Sequence, residues 1–173
     1  MTPRGQQKLK RTTARAKPLD SADVAYQRAL RYLGLSARSG AEVKDYLHRL
    51  GAPASVIDPA LEKLRRLNYI DDGAFARNWA LSRAQNQSYG PQRIDRELKK
   101  KGVADEIIRA AIDEVFAQEN EEARARKILE KKFAGADFQE PRTLGRALGF
   151  LQRRGYSAKV IFALLHYSSD DNC

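Results

Sequence analysis

The sequence holds one cysteine and two histidines among its 173 residues, and this scarcity excludes two kinds of protein. The thiol is Cys173, so no disulfide can form within the chain, and one thiol cannot assemble a metal site alone. His48 and His166 lie far apart, without the spacing of metal ligands. We therefore expect no disulfide framework, no metal site and a cytoplasmic location.

Long apolar runs are also missing. No stretch approaches the roughly 18 residues that a membrane-spanning helix needs. The first residues, MTPRGQQKLKRTTARAK, are basic and lack the apolar stretch of a secretory signal, so we expect none. Apolar and polar residues do not alternate as they do in strands. A hydrophobic content of 42% and a charged content of 31% are typical of a soluble, mostly helical protein.

The usual catalytic motifs do not occur. The sequence has neither a P-loop nor a Gly-x-Ser-x-Gly elbow. Its one conspicuous carboxylate pair, Asp71-Asp72, could ligate a divalent metal, but it sits where a helix cap is expected, and we favour the cap. The sequence therefore predicts a protein that is not an enzyme and binds no cofactor.

One pattern occurs three times. A leucine lies four residues before a glycine, and two β-branched residues lie five and six residues after it, in 47–57, 96–108 and 151–161. The three glycines are 51 and 53 residues apart: Gly51, Gly102 and Gly155. Repetition at such a period indicates an array of duplicated units. We predict that each leucine is buried, that each glycine ends a helix, and that the β-branched pair packs the next helix.

The sequence thus predicts an all-α fold of three tandem three-helix repeats forming an elongated, curved array. The predicted segments are a disordered basic tail and three repeats, with bounds 1–20, 21–72, 73–119 and 120–169.

Local signals predict several helix bounds. Ser39 and Glu42 have capping-box spacing, Asp71 or Asp72 caps the fourth helix, and Pro91 suits the first position of the fifth. Pro59 leaves two alternatives for the third helix. Either the helix begins late, with Pro59 as its first residue after an Asp58 cap, or Pro59 kinks it.

The net charge of +10 is concentrated at the start of the chain. Residues 1–24 hold six basic and two acidic side chains. A polyanion is the expected partner of this tail, because Lys and Arg displace counterions from phosphates. The candidate contacts are Lys8, Lys10 and Arg11. The alternative is a tail that is merely solvated.

The fifth helix has one apolar side and one basic side. On a helical wheel Ile94 and Leu98 lie together, whereas Arg93, Arg96 and Lys100 fall within about 60° of one another. The third repeat matches in part and the first repeat does not, since Glu42, Asp45 and Arg49 occupy its equivalent positions. The candidate binding residues are Arg93, Arg96, Lys100, Lys101, Arg146, Arg153 and Arg154. Phosphates and protein carboxylates would both suit this face.

Three aromatic residues of the second repeat could stack on bases. Phe75 and Trp79 are four residues apart on a helix, which is core spacing, and we assign both to the core. Tyr89, beside Gly90 and Pro91, is the more open of the three.

Three segments resemble the hallmark segments of the RecX family, bacterial regulators of the recombinase RecA. They are YIDDGAFARNWALSR, YGPQRIDRELKKKG and FLQRRGYS, at 69–83, 89–102 and 150–157, and the resemblance covers about residues 24–167. It implies an elongated string of three three-helix repeats that binds the RecA filament on DNA without cofactors. Such proteins usually suppress the ATPase and strand-exchange activities of RecA in recombination and DNA repair, and some bind DNA as well.

Two functions therefore stay open at this point. One is a monomeric regulator, most often an inhibitor, that acts on RecA filaments. The other is a helical module that binds single- or double-stranded DNA directly and needs no recombinase.

Overall fold

The computed structural model describes residues 19–117 and 120–170, without the side chains of 165–170. Within these ranges it contains nine helices and no strand. The helices are α1 Ala22–Leu33, α2 Gly40–Arg49, α3 Ala54–Arg66, α4 Asp72–Asn86, α5 Pro91–Lys100, α6 Asp105–Ala117, α7 Glu121–Lys132, α8 Pro141–Arg154 and α9 Ala158–Asp170.

The helices enclose three separate hydrophobic clusters, one for every three consecutive helices. The leucine that precedes each repeated glycine is fully buried in its own cluster, as predicted, in the order Leu47, Leu98 and Leu151. The second member of each β-branched pair is also buried: Ile57, Ile108 and Ile161. The predicted all-α fold with three three-helix units is confirmed, whereas the bounds of the units stay predictions.

Short polar side chains begin the helices where the sequence indicated. Ser39 accepts a hydrogen bond from the Glu42 backbone, while the Glu42 carboxylate accepts one from Ser39 N, which completes the capping box. Asp71 caps α4 by accepting from Ala74 N at 2.8 Å, so the cap prediction is confirmed. Pro91 is the first residue of α5.

The third helix begins earlier than Pro59, so one of the two alternatives for this helix does not hold. α3 starts at Ala54 and contains Pro59, so a late start at Pro59 is wrong. Val56 N and Ile57 N both donate to Pro53 O, at 2.9 and 3.1 Å, and form the first turn. Because both side chains are buried in this turn, packing outweighs the hydrogen bond that Pro59 cannot make.

The predicted disordered tail falls almost wholly outside the described residues. Of its last two residues, Leu19 is half-buried and packs against the first hydrophobic cluster. Lys8, Lys10 and Arg11 lie outside the described residues. No helix in the described part of the chain is long and apolar enough to cross a membrane.

The middle helices of the units meet end to end. At the junction of units two and three, Gly90 N and Gln92 N donate to Arg154 O and Gly155 O, at 2.8 and 3.1 Å. The C-terminal end of α8 thereby meets the N-terminal end of α5. Such bonds satisfy carbonyl and amide groups that a helix leaves without partners at its ends.

The junction of units one and two has the same arrangement. Ser39 Oγ at the start of α2 donates to Lys101 O at the end of α5, at 2.5 Å. Gly102 faces Ala41 so closely that a Cβ at Gly102 would overlap the Ala41 side chain. We call α8, α5 and α2, joined head to tail in this order, the second-helix row. Its free end is Gly51, where an added Cβ would meet nothing within 4 Å.

Gly51 and Gly155 form a matched pair for a test of the junction, since both have a φ of 84°. Gly51→Ala should lower the free energy of unfolding by about 1–2 kcal/mol, the cost of a left-handed backbone. Gly155→Ala should lower it by about 1–3 kcal/mol more, because the new methyl group would overlap the Arg93 backbone. Urea unfolding followed by circular dichroism measures both. Equal losses would contradict a close-packed junction.

Candidate functional site

The seven predicted basic residues all belong to α5, α8 or the residues that end α5, and they divide into two groups. One group projects into solvent and the other joins neighbouring units. The division follows from the second-helix row, because the ends of α5 and α8 are where the units touch.

Four of the seven are exposed: Arg96, Lys100, Arg146 and Arg153. On α5 they lie away from Ile94 and Leu98, which are fully buried, so the predicted division of α5 into an apolar and a basic side is confirmed. Arg96 Nε donates to a carbonyl of its own helix at 3.1 Å, which leaves its charge available.

Lys99 differs from its exposed neighbours, since its charge is paired. Its Nζ lies 3.2 Å from a carboxylate oxygen of Asp95 and 3.6 Å from one of Asp105. The hydrogen bond that Lys99 donates to Asp95, followed by the charge of Asp105, raises the pKa of Lys99. The charge of Lys99 is therefore already balanced by two carboxylates of its own unit.

Arg93 joins the second and third units. Its guanidinium lies 3.8 Å from the centre of the Tyr89 ring, and its Nη1 donates to Arg153 O at 3.0 Å. Its Nε lies 3.5 Å from a carboxylate oxygen of Glu97. Arg154 joins the same units from the other side by donating to Gln87 O. Tyr89, expected to be the more open aromatic residue, is half-buried beneath Arg93.

Lys101 joins the first and second units. Its Nζ lies 2.8 Å from a carboxylate oxygen of Glu42, and 4.2 Å from the centre of the Trp79 ring. Burial acts to raise the pKa of Glu42, but the hydrogen bonds from Lys101 and Ser39 N and the charge of Lys101 outweigh it. The pKa of Glu42 is lowered overall.

Glu97 connects the contacts at both ends of the second unit. Its Oε2 accepts from Trp79 Nε1 at 3.1 Å and from Arg83 Nε at 2.8 Å, while its Oε1 faces Arg93. Trp79 touches Lys101 and Arg93 touches the third unit, so one network crosses the unit. The sequence analysis missed Glu97, although its i,i+4 spacing from Arg93 was a usable signal.

The other residues considered as metal ligands or base-stacking groups contact neighbouring parts of the fold or lie at its surface. Asp72 accepts from Gly40 N at 2.8 Å, so the second carboxylate of the pair holds the start of α2. No cluster of three potential metal ligands occurs among the described residues. Phe75 is buried in the core as predicted, whereas Trp79 is only half-buried and stacks on it. His48 is exposed.

Glu42 gives the first junction a defined pH dependence. Its folded pKa lies below the ordinary 4.5, so its stabilisation is complete above about pH 4.5 and is lost as the pH falls through the folded pKa. Glu42→Gln should lower the free energy of unfolding by roughly 0.5–1 kcal/mol at pH 7. The difference from the unmodified chain should shrink as the pH falls below about 4.5. Urea unfolding followed by the fluorescence of Trp79, the single tryptophan, measures it. A difference that grows as the pH falls would contradict this pairing.

Each of the three units matches a separate model of a known protein domain. The family models for the first, second and third three-helix domains of RecX match residues 25–64, 71–112 and 119–165. The crystal structure of RecX from Lactobacillus salivarius superposes with a TM-score of 0.69 at 21% identity, over 86% of this chain and 96% of that one. A second RecX crystal structure gives 0.67 at 25% identity, over 84% of this chain and 73% of that one.

Similarity in sequence extends over most of the chain. The regulatory protein RecX of Geobacillus kaustophilus is 37% identical over 147 residues, which are 84% of this chain and 54% of that protein. The regulatory protein RecX of Trichlorobacter lovleyi is 35% identical over 138 residues, 79% of this chain and 90% of that protein. The chain thus spans about half the length of the first of these relatives and most of the second. With three domain models matched in order, the chain belongs to the RecX family.

Proposed function

We propose that this chain regulates RecA by binding the RecA–DNA filament and inhibiting its ATPase and strand-exchange activities. The observation that carries the proposal is the set of four exposed cations on α5 and α8. These two helices belong to different units, yet backbone hydrogen bonds fix their ends against each other. The junction therefore holds the cations of the two helices in fixed positions relative to one another.

Binding through several units explains how weak contacts add up. A single exposed ion pair contributes only about 0–1 kcal/mol. When one contact has formed, the next becomes intramolecular, because the helices are already held in place. An array that touches more than one protomer of a filament would resist the movement of those protomers relative to one another. Inhibition of an ATPase cycle that needs such movement follows from binding alone.

Direct DNA binding is the second candidate, and the net charge of +10 favours it. The two candidates respond differently to salt. Affinity for bare DNA falls steeply as salt rises, because each phosphate contact releases counterions. Retention on bare single- and double-stranded DNA should therefore disappear between about 50 and 200 mM salt, whereas retention on RecA-coated DNA should persist. Equal loss on both would favour direct DNA binding.

Reversal of two exposed charges on α5 tests the proposed surface. Arg96→Glu combined with Lys100→Glu should weaken inhibition of the RecA ATPase about tenfold, since two attractive contacts become repulsive. The junction residue Arg93 is left intact, so the row keeps its geometry. The measurement is the concentration of this protein that halves ATP hydrolysis by RecA on single-stranded DNA.

A matched control is available on the first unit. Arg31 and Arg66 are exposed cations in the last turns of α1 and α3, outside the second-helix row. Arg31→Glu combined with Arg66→Glu changes the net charge by the same amount and should alter inhibition less than twofold. Undiminished inhibition by the α5 variant, or an equal loss in both variants, would remove these residues from the binding surface.

A further inference from the structure

A second cationic surface lies outside the second-helix row. α4 of the second unit and α7 of the third enclose a groove of about 320 Å³, which we call the α4–α7 groove. Ala84 and Ile128 supply apolar surface within it, and Gln85 lies at its α4 side. Such a groove accepts a side chain of another molecule more readily than a flat surface does.

One wall of the groove is strongly basic. Arg124, Lys127 and Lys131 all line it from α7, and their spacing places them within about 60° on one side of that helix. None of the described residues that line the groove is acidic. The surface therefore combines apolar contact area with three positive charges along two turns of helix, about 10 Å.

The repeat supplies an internal comparison, because a groove of about 410 Å³ occupies the equivalent place between α1 and α4. Counted from the caps Asp71 and Asn120, the equivalents of the three cations are Phe75, Asn78 and Ser82. The groove between α1 and α4 thus forms with no positive charge on its α4 wall. The three cations at these positions on α7 are therefore a feature of this groove and not of the repeat.

We propose that the α4–α7 groove binds a carboxylate-rich segment of a partner protein that inserts an apolar side chain between α4 and α7. A helix with acidic residues two turns apart would match the spacing of Arg124 and Lys131. Nucleic acid fits less well. Tyr156, the aromatic residue of the groove, is 3% exposed and donates to Ser88 O at 3.4 Å, so it offers no face for a base.

The inference deepens the proposed function and rests on it in one respect, since the partner to be tested is the RecA filament.

Photo-crosslinking locates the occupant directly. p-Benzoyl-phenylalanine placed at Gln85 samples the groove, and the same group placed at Gln92 samples the second-helix row, because both positions are exposed. After irradiation with RecA on single-stranded DNA, mass spectrometry identifies the crosslinked fragment.

The outcomes separate the two proposals. A crosslink from position 85 to an Asp- and Glu-rich stretch of RecA supports the groove. A crosslink from position 85 to DNA, or to a RecA stretch without acidic residues, overturns it. A crosslink from position 92 with none from position 85 overturns the groove and keeps the proposed function. No crosslink from either position contradicts both.

Charge reversal gives an independent measurement. Lys127→Glu combined with Lys131→Glu should weaken filament binding about tenfold. The pair at the equivalent positions of α4, Asn78→Glu with Ser82→Glu, should weaken it less than twofold. Retention on bare single-stranded DNA should fall no further than it does for the Arg31 and Arg66 control. A tenfold greater loss on bare DNA would assign the groove to nucleic acid and overturn the proposal.

The single substitution Lys131→Glu is a control for misfolding, because Lys131 is exposed and the change should leave the fold intact. It should weaken filament binding about threefold while the circular dichroism spectrum and the midpoint of thermal unfolding stay unchanged. Full filament binding by this folded variant would overturn the proposal.

Discussion

The arrangement of the units depends on hydrogen bonds between helix ends. Carbonyls at the C-terminal ends of α8 and α5 accept from backbone amides or a serine hydroxyl at the start of the next helix in the row. These groups have no partner within their own helices, so the junction satisfies both ends at once. Helix dipoles also meet with opposite partial charges there. A three-helix unit has a small core, and this contact fixes its position relative to its neighbours.

The sequence predicted the units better than it predicted the contacts between them. The spacing of Leu98 and Gly102 describes one helix and its end, and such local signals are read from a few residues. A helical wheel shows what lies on the same helix, so Arg93 and Lys101 appeared as surface cations. Their partners, Arg153 O and Glu42, lie about 60 residues away in the chain. No local sequence pattern predicts a contact of that kind. The helical wheel could therefore distinguish apolar residues from basic ones, but it could not distinguish exposed basic residues from those that join two units.

The segments that carry the family resemblance supply these junctions. The first contains Asp72, which holds the start of α2, and the second contains Gly90, which donates to the third unit. The third contains Gly155, where only a residue without Cβ fits against Arg93. The resemblance is thus largely a resemblance in how units join. It therefore supports a common geometry more directly than it supports any particular set of partner contacts.

Charge is unevenly distributed along this geometry. Both proposed surfaces belong to the second and third units, whereas the first unit carries Glu42 and Asp45 where α5 carries cations. Glu42 is neutralised by Lys101 within the junction, but Asp45 is exposed and would repel an anionic partner. The second-helix row is consequently asymmetric along its length, because α5 and α8 expose cations whereas α2 exposes both signs, with Arg49 beside Asp45. A filament of identical protomers is polar as well. In the proposed complex, binding through fixed units would favour one orientation along the filament, because the reversed orientation would place Asp45 where a cation is needed.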